Sequence, residues 1–171
     1  MEELVNMGLI REKLPLLAIL IALSVVLGLV INIPIPGTNG YVNLLDVGIY
    51  TAALTLGGPA GLLVGASSGL LLDLLLGYPQ WMFFSLVIHG LQGYLVGILA
   101  KNQVKTLPLL GLILGSFTMV IGYYLATWLL YGHLAGLASL PSNALQVIVG
   151  IIGASSIVAI LNKQKMTLHH W

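Results

Sequence analysis

The sequence has no cysteine, and charged side chains make up only 6% of its 171 residues. The absence of cysteine excludes disulfide bonds, thiolate metal sites and a cysteine nucleophile. Soluble domains carry roughly 25% charged residues, so this chain lacks the side chains needed to cover a surface that faces water. The net charge of +1 gives no electrostatic reason to expect a nucleic-acid partner. Because 58% of the residues are hydrophobic, the solvent of this protein is predicted to be lipid.

Six hydrophobic runs predict an all-α integral membrane bundle. A membrane-spanning helix needs about 20 mostly apolar residues, and segments rich in glycine, proline or polar residues separate the runs. The predicted spans are 14–31, 44–56, 60–76, 81–100, 107–131 and 144–161, in a single membrane domain that covers 1–171. The first run is too long for the apolar part of a signal peptide, and no small-residue cleavage site follows it. Residues 32–40 and 132–141 are expected to be loops. Residues 44–76 fit either two spans or a re-entrant hairpin.

The basic residues predict the orientation of the chain. All six lie in the N-terminal tail, in the loop after the fourth span or in the C-terminal tail: Arg11, Lys13, Lys101, Lys105, Lys163 and Lys165. In a six-span arrangement these three segments lie on the same side of the membrane. Since lysine and arginine concentrate in cytoplasmic loops, both termini are predicted to be cytoplasmic.

Small residues recur every four positions in two of the predicted spans. The third span carries Gly61, Gly65 and Gly69 on one face. The fourth carries Gly93 and Gly97, on the same face as His89. Small residues on one face allow the backbones of membrane helices to approach closely. These two stripes therefore predict a tight bundle without a wide aqueous pore.

Three ionisable residues, Asp46, Asp73 and His89, interrupt the hydrophobic runs. Such a group costs about 2.5–3.5 kcal/mol at the middle of a span and therefore needs a partner or a function. Other polar and aromatic groups collect in the same outer half of the bundle, where they predict a small-molecule pocket. The candidate binding residues are Asn43, Trp81, His89, Gln92, Tyr124, Trp128, Asn143 and Gln146. Tyr41, Asp46, Asp73 and Tyr78 either touch the ligand or hold the fold, and no metal site or cofactor is expected.

A run of motifs over about residues 40–97 resembles the S components of energy-coupling factor (ECF) transporters. The motifs are Gly40-Tyr41-Val42-Asn43-Leu44-Leu45-Asp46, Gly58-Pro59, the glycine stripe of span three, Asp73-Leu74, Gly77-Tyr78-Pro79 and His89-Gly90-Leu91-Gln92-Gly93. Their order and spacing are similar to the branch that includes riboflavin, hydroxymethylpyrimidine and pyridoxine S components. Ala18 and Ala22 add an Ala-x-x-x-Ala motif in span one, which members of this family use for docking on a T component.

The resemblance implies a high-affinity vitamin-capture subunit of an ABC-type importer in the cell membrane of a bacterium. A membrane T component and two cytoplasmic ATPase subunits would supply the energy, since this sequence has no phosphate-binding loop of the Gly-x-x-x-x-Gly-Lys-Ser/Thr kind. His89 stands where the family commonly has lysine. Imidazole donates and accepts hydrogen bonds when neutral, which favours a neutral heteroaromatic ligand. Hydroxymethylpyrimidine or pyridoxine is therefore the expected substrate.

Two other functions compete with this interpretation. A stand-alone secondary transporter would use Asp73 and His89 to carry protons, but the chain is short for that role and shows no repeated half. An intramembrane enzyme would need two carboxylates that share a proton, and neither Asp46 nor Asp73 follows a Gly-x-Gly sequence. Uptake without any partner would favour the secondary transporter.

Overall fold

The computed structural model describes residues 2–35, 40–101 and 106–168, with side chains for 14–34, 41–101 and 106–164. This part of the chain forms six helices and one two-stranded antiparallel sheet. In chain order these are α1 Glu2–Val30, β1 Asn32–Ile35, β2 Gly40–Asn43, α2 Leu45–Leu56, α3 Gly58–Leu76, α4 Met82–Ala100, α5 Leu107–Tyr131 and α6 His133–Leu168. The prediction of an all-α membrane protein is confirmed at this level. The side chains of Arg11, Lys13, Lys105 and Lys165, used for the orientation, lie outside the described set.

Helix length and composition separate two groups of helices. Four helices, α3 to α6, are long and apolar enough to cross a membrane. The described apolar part of α1 and the whole of α2 are shorter, and α2 falls well below the about 20 residues of a full span. Large apolar side chains such as Phe117 and Leu129 are exposed on the outside of the bundle, as expected where lipid rather than water is the solvent.

The glycine stripes pack α3 against α4, which gives the close helix packing that they predict. The contact between these two helices is the most extensive in the bundle. A Cβ added at Gly65 would collide with the carbonyl of His89, and one added at Gly61 would collide with the carbonyl of Gly93. The backbones therefore touch directly, and no side chain fits between them.

The prediction of a loop over 32–40 is wrong for its first residues. Asn32–Ile35 pairs with Gly40–Asn43 in an antiparallel hairpin, with Asn32 opposite Asn43 and Pro34 opposite Tyr41. Valine, isoleucine and tyrosine favour extended backbone, and a two-stranded sheet leaves each strand a free edge that tolerates proline. The Pro/Gly signal therefore marked the connection rather than the strands. Residues 36–39 of the predicted loop lie outside the described residues.

The predicted loop 132–141 is also wrong, because helix α6 begins at His133. Gly132, with a φ of +93°, is the single residue between α5 and α6. Pro141 lies inside the helix, where nearby hydroxyls bond to backbone carbonyls: Ser139 to Gly136 at 2.8 Å and Ser142 to Ser139 at 2.9 Å. Neighbouring serines make proline tolerable in a membrane helix. Asn143 is therefore a mid-helix residue and not a helix cap after Pro141.

Short connections between antiparallel helices give the bundle two distinct ends. The hairpin end carries the β1–β2 hairpin, the first turns of α2, α4 and α6, and the last turns of α3 and α5. The opposite end carries the turn at Gly57 between α2 and α3, against which Lys101 from the end of α4 packs. The Lys101 ammonium group donates a hydrogen bond to the Thr55 carbonyl at 2.9 Å and so satisfies the last turn of α2.

Candidate functional site

A cavity lies inside the hairpin end of the bundle. It is lined by Tyr41, Asn43, Leu45, Gly69, Leu72, Asp73, Trp81, Ser85, His89, Met119, Tyr123, Thr127, Ser139, Asn143 and Gln146. These residues come from β2 and from α2 to α6. The cavity offers about 40 Å³ to the centres of water-sized molecules, where a single water needs at least about 10–15 Å³. Its walls combine aromatic rings with a small number of polar groups, which is the usual composition of a small-molecule site.

His89 is held at the base of the cavity through one ring nitrogen. The Gln92 amide nitrogen donates to Asp46 Oδ1 at 3.0 Å and to the Tyr50 hydroxyl at 2.8 Å, which turns the amide oxygen of Gln92 towards the ring. His89 Nδ1 lies 2.7 Å from this oxygen and 3.4 Å from Asp46 Oδ1. Both neighbours are acceptors, so Nδ1 carries a proton and donates. Nε2 has no hydrogen-bond partner within the part of the chain that the structure describes, so it is available to a ligand.

A second polar layer lies beneath the cavity, between α2, α4 and α5. Asp46, Tyr50 and Gln92 are fully buried, and the Tyr50 hydroxyl lies 2.9 Å from the hydroxyl of Ser116. Neither Asp46 nor Gln92 lines the cavity. Both belonged to the predicted set, and the structure makes them neighbours of His89 instead. Because buried polar groups are stable only with partners, this layer fixes the position of the imidazole ring.

Two amide side chains, from β2 and α6, meet on the cavity wall. Gln146 Oε1 accepts a hydrogen bond from the backbone N–H of Asn43 at 3.0 Å. Asn43 Oδ1 accepts from the backbone N–H of Leu45 at 2.7 Å and so holds the start of α2. The oxygen of each amide is used in this way, whereas the amide nitrogens have no partner among the described residues and can donate to a ligand. Asn143, one turn before Gln146 on α6, lines the same wall.

Tyr41 ties the hairpin to α3 at the rim of the cavity. Its hydroxyl donates a hydrogen bond to Asp73 Oδ1. Burial and the nearby Asp73 raise the pKa of the Tyr41 hydroxyl, so the hydroxyl keeps its proton and acts as a donor. The ring of Tyr78 packs against that of Tyr41 at a centroid distance of 5.3 Å. Tyr41 and Asp73 line the cavity, whereas Tyr78 lies behind Tyr41 and does not.

An aromatic wall faces these polar groups. Trp81 is 4% exposed, and its ring lies 5.9 Å from that of Tyr123, which in turn lies 5.4 Å from His89 in an edge-on arrangement. The Tyr123 hydroxyl lies 2.6 Å from the Ser85 hydroxyl. This wall gives a planar ligand apolar surface next to hydrogen-bonding groups.

Sequence reasoning missed four polar residues of the cavity: Ser85, Tyr123, Thr127 and Ser139. Three of them follow a spacing that was available in the sequence. Trp81, Ser85 and His89 lie four residues apart on α4, so they share one helix face. Met119, Tyr123 and Thr127 have the same spacing on α5. Ser139 fell in the segment that was predicted to be a loop.

The structure does not bring Tyr124 and Trp128 to the cavity. Their rings pack against each other at 5.9 Å, and Trp128 lies 5.1 Å from the ring of His133. Trp128 is 47% exposed on the outside of the bundle. Such a position is typical of an aromatic residue at the membrane interface.

The predicted docking residues Ala18 and Ala22 lie on the exposed surface of α1. The opposite side of this helix, including Leu17 and Val25, packs into the bundle. Both alanines are therefore accessible to a partner in the membrane.

Comparison with known proteins identifies the family to which this chain belongs. The S component of the ECF-type riboflavin transporter is the family whose profile matches, over residues 10–163. The thiamine precursor transporter HmpT of Lactococcus lactis subsp. cremoris is 41% identical over 153 residues, which cover 89% of each chain. An uncharacterized protein of Pyrococcus woesei, from the gap 3' region, is 35% identical over 137 residues, or 80% of this chain and 92% of the relative. The chain therefore belongs to the ECF-type riboflavin transporter S components, a family of multi-pass cell-membrane proteins for vitamin uptake that work with an ECF module.

Proposed function

We propose that this chain is the substrate-capture subunit of an ECF importer for hydroxymethylpyrimidine, with pyridoxine as the second candidate. The observation that carries the proposal is a cavity whose lining combines an aromatic wall with several hydrogen-bonding side chains. The similarity to a thiamine precursor transporter supports the same choice, because hydroxymethylpyrimidine is a precursor of that kind.

The groups around the cavity suit a hydroxymethylated pyrimidine. Its ring would stack on the wall of Trp81 and Tyr123. Its ring nitrogens accept hydrogen bonds, and the amide nitrogens of Asn43 and Gln146 remain as donors. Its hydroxymethyl group both donates and accepts, so it suits His89 Nε2 or the hydroxyls of Ser85 and Thr127. Riboflavin has three fused rings and a ribityl chain, and it would need a larger space.

The topology belongs to the same proposal. We infer six membrane spans, near 14–31, 44–56, 60–76, 81–100, 107–131 and 144–161, with both termini in the cytoplasm. The hairpin end, and with it the cavity, then faces the outside of the cell, where the substrate is captured. Ala18 and Ala22 would dock on a T component that works with two cytoplasmic ATPase subunits. Hydrolysis of ATP would belong to those partners.

The proposal is tested by titrating the purified chain in detergent with candidate vitamins. The three tryptophans are Trp81, Trp128 and Trp171, so the double variant Trp128→Phe, Trp171→Phe leaves Trp81 as the reporter at the cavity. Submicromolar quenching by hydroxymethylpyrimidine is expected, with much weaker responses to pyridoxine, thiamine and riboflavin. Tightest binding of pyridoxine would select the second candidate, and no response to any of them would refute vitamin capture.

Dependence on partners is tested by uptake in cells. Uptake should require the T component and both ATPases, and the variants Ala18→Leu and Ala22→Leu should abolish it without changing ligand affinity. Ala159→Leu is the matched control, because Ala159 is an exposed alanine on α6. Uptake in cells that lack the partners, with loss when the proton gradient collapses, would instead support the stand-alone transporter.

A further inference from the structure

Asp73 holds a carboxyl oxygen that the fold leaves without a partner. The residue is 3% exposed and lines the cavity from α3. Tyr41 donates to its Oδ1, and the Ser85 hydroxyl lies close to the same carboxyl group. Oδ2 is buried and makes no hydrogen bond of normal geometry within the described residues. An unmade hydrogen bond at a buried polar atom is costly, and more so when the atom is charged. Such an atom on a cavity wall points to a ligand that completes it.

The unpaired oxygen of Asp73 is best compared with that of Asp46, the other buried aspartate. Asp46 Oδ2 also lacks a partner within the described part of the chain. Asp46 does not line the cavity, however, and its Oδ1 is occupied by Gln92 and lies near His89. A ligand in the cavity therefore reaches Asp73 before Asp46, and the unpaired oxygen at Asp73 is the one that recognition can use.

We propose that Asp73 binds the substrate by pairing with the amino group and the adjacent ring nitrogen of an aminopyrimidine. This inference rests on the proposed function and names the chemical group that the site selects. One carboxyl oxygen accepts from the amino N–H, and the other shares a proton with the ring nitrogen. That proton lies on oxygen when both partners are neutral and on nitrogen when both are charged. The two hydrogen bonds persist in either case, provided that the carboxyl group and the ring nitrogen hold one proton between them.

The competing vitamins cannot make the same pair of hydrogen bonds. Pyridoxine has a ring nitrogen but no neighbouring amino group, so one carboxyl oxygen would stay unpaired. The imide edge of riboflavin presents carbonyl oxygens, which repel a carboxylate. Tyr41 uses one lone pair of Oδ1, so the second lone pair of that oxygen remains for the ligand beside Oδ2. Sites built to hydrogen-bond one group reject analogues that lack it far more strongly than sites that select by size.

The test compares hydroxymethylpyrimidine with its oxo analogue, in which an oxo group replaces the amino group. Calorimetry on the wild type should give a preference for the amino compound of about 100-fold or more. The variant Asp73→Asn should reduce this ratio at least about tenfold, because its amide donates to the oxo group and accepts from the adjacent ring N–H. The variant Tyr41→Phe keeps the carboxyl group, so the ratio should stay near that of the wild type even if both affinities fall.

Three outcomes would overturn the inference. Equal loss of both affinities in Asp73→Asn, with the ratio unchanged, would mean that Asp73 only holds the fold. A ratio that narrows equally in Tyr41→Phe would assign the selectivity to the hairpin. If wild type binds hydroxymethylpyrimidine tightly under either outcome, the proposed function survives and only the role of Asp73 fails. Failure of the wild type to bind any aminopyrimidine would refute both.

A measurement on the wild type guards against misfolding of the variants. With ¹⁵N-labelled hydroxymethylpyrimidine, the bound ring nitrogen beside the amino group should shift strongly in the NMR spectrum relative to the free ligand. The other ring nitrogen should shift less. Equal small shifts at both ring nitrogens would overturn the pairing without any use of a substitution.

Discussion

The two ends of the bundle are built from different residues, and the difference explains where the cavity lies. At the opposite end, Gly97 of α4 lies against the backbone at Gly57, and Gly61 lies against Gly93. Small residues there bring the helix axes together and leave no space. At the hairpin end, Trp81 and Tyr123 project from α4 and α5 into the same region. Large side chains hold the helices apart there, and the space between them becomes the cavity.

Gly69 marks the boundary between these two regions. It continues the glycine stripe of α3, yet it lines the cavity. A Cβ at this position would press on the ring of His89 and on the backbone of Ser85. The stripe therefore has two consequences along one helix. It closes the bundle at the opposite end, and at the hairpin end it leaves room for the imidazole.

The largest effect on stability is expected from a methyl group added to the glycine stripe between α3 and α4. The variant Gly65→Ala places a Cβ against the carbonyl and carbonyl carbon of His89. Backbone atoms cannot rotate away as a side chain can, so α3 and α4 must separate. Overpacking of this kind costs roughly 1–3 kcal/mol or more. We expect a clear fall in the thermal unfolding midpoint in detergent and a lower yield of monodisperse protein.

Gly90→Ala is the matched control for this prediction. Gly90 lies next to His89 on α4, but an added Cβ there would meet the Ala66 and Leu62 side chains at 3.2 and 3.4 Å rather than backbone. Its unfolding midpoint should stay close to that of the wild type. Equal destabilisation by both variants would mean that helix flexibility, and not the backbone contact, explains the need for glycine.

A smaller and more local effect is expected at the cavity. The variant His89→Ala removes Nε2 from the ligand and leaves Gln92 Oε1 without its donor. A lost buried hydrogen bond costs about 1–3 kcal/mol, so ligand affinity should fall by an order of magnitude or more in calorimetry. Trp128→Ala should leave the affinity unchanged, since Trp128 lies outside the cavity. If Trp128→Ala lowered the affinity and His89→Ala did not, the binding site would lie on the outer surface of α5.

The close helix packing at the opposite end of the bundle could be predicted from the sequence, whereas the structure of the hairpin end could not. The reasons are physical. Glycine at every fourth position has one main consequence in lipid, which is close approach, so a tight bundle could be predicted, although not which helices touch. Turn signals are less specific. Gly132 and Pro141 predicted a loop, but a single glycine makes the turn and the proline lies within α6.

Site residues could be predicted only by type and approximate depth. His89, Asn143 and Gln146 are polar residues in apolar helices, and they do line the cavity. Trp128 was predicted in the same way, as an aromatic residue in the outer half of the bundle. Its side chain, however, lies on a different face of α5 from those of Tyr123 and Thr127. A helix face decides which side chains converge, and the face of α5 depends on its neighbours α4 and α6. That information is tertiary, so it was not available from local composition.

The smallest effect is expected at Gln92, which connects the two regions. Its amide oxygen accepts a hydrogen bond from His89 on the side of the cavity. Its amide nitrogen donates to Asp46 and Tyr50 in the polar layer beneath the cavity. The variant Gln92→Met keeps the length of the side chain and removes these hydrogen bonds. The imidazole remains, and Asp46 Oδ1 at 3.4 Å is a substitute acceptor for Nδ1. The affinity should therefore fall by several-fold, for a cost of roughly 1 kcal/mol, and by less than in His89→Ala.

Imidazole ¹⁵N NMR separates positioning by Gln92 from a general loss of packing. The chain has four histidines, and the signals of His89 are identified by their absence in His89→Ala. In Gln92→Met the Nδ1 signal of His89 should shift as its acceptor changes from an amide to a carboxylate oxygen. Gln80→Met is the control, because Gln80 is exposed and its amide nitrogen donates to the Tyr131 hydroxyl at 3.4 Å, away from His89. An unchanged His89 signal together with a lower affinity would mean that Gln92 supports the floor of the cavity by packing alone.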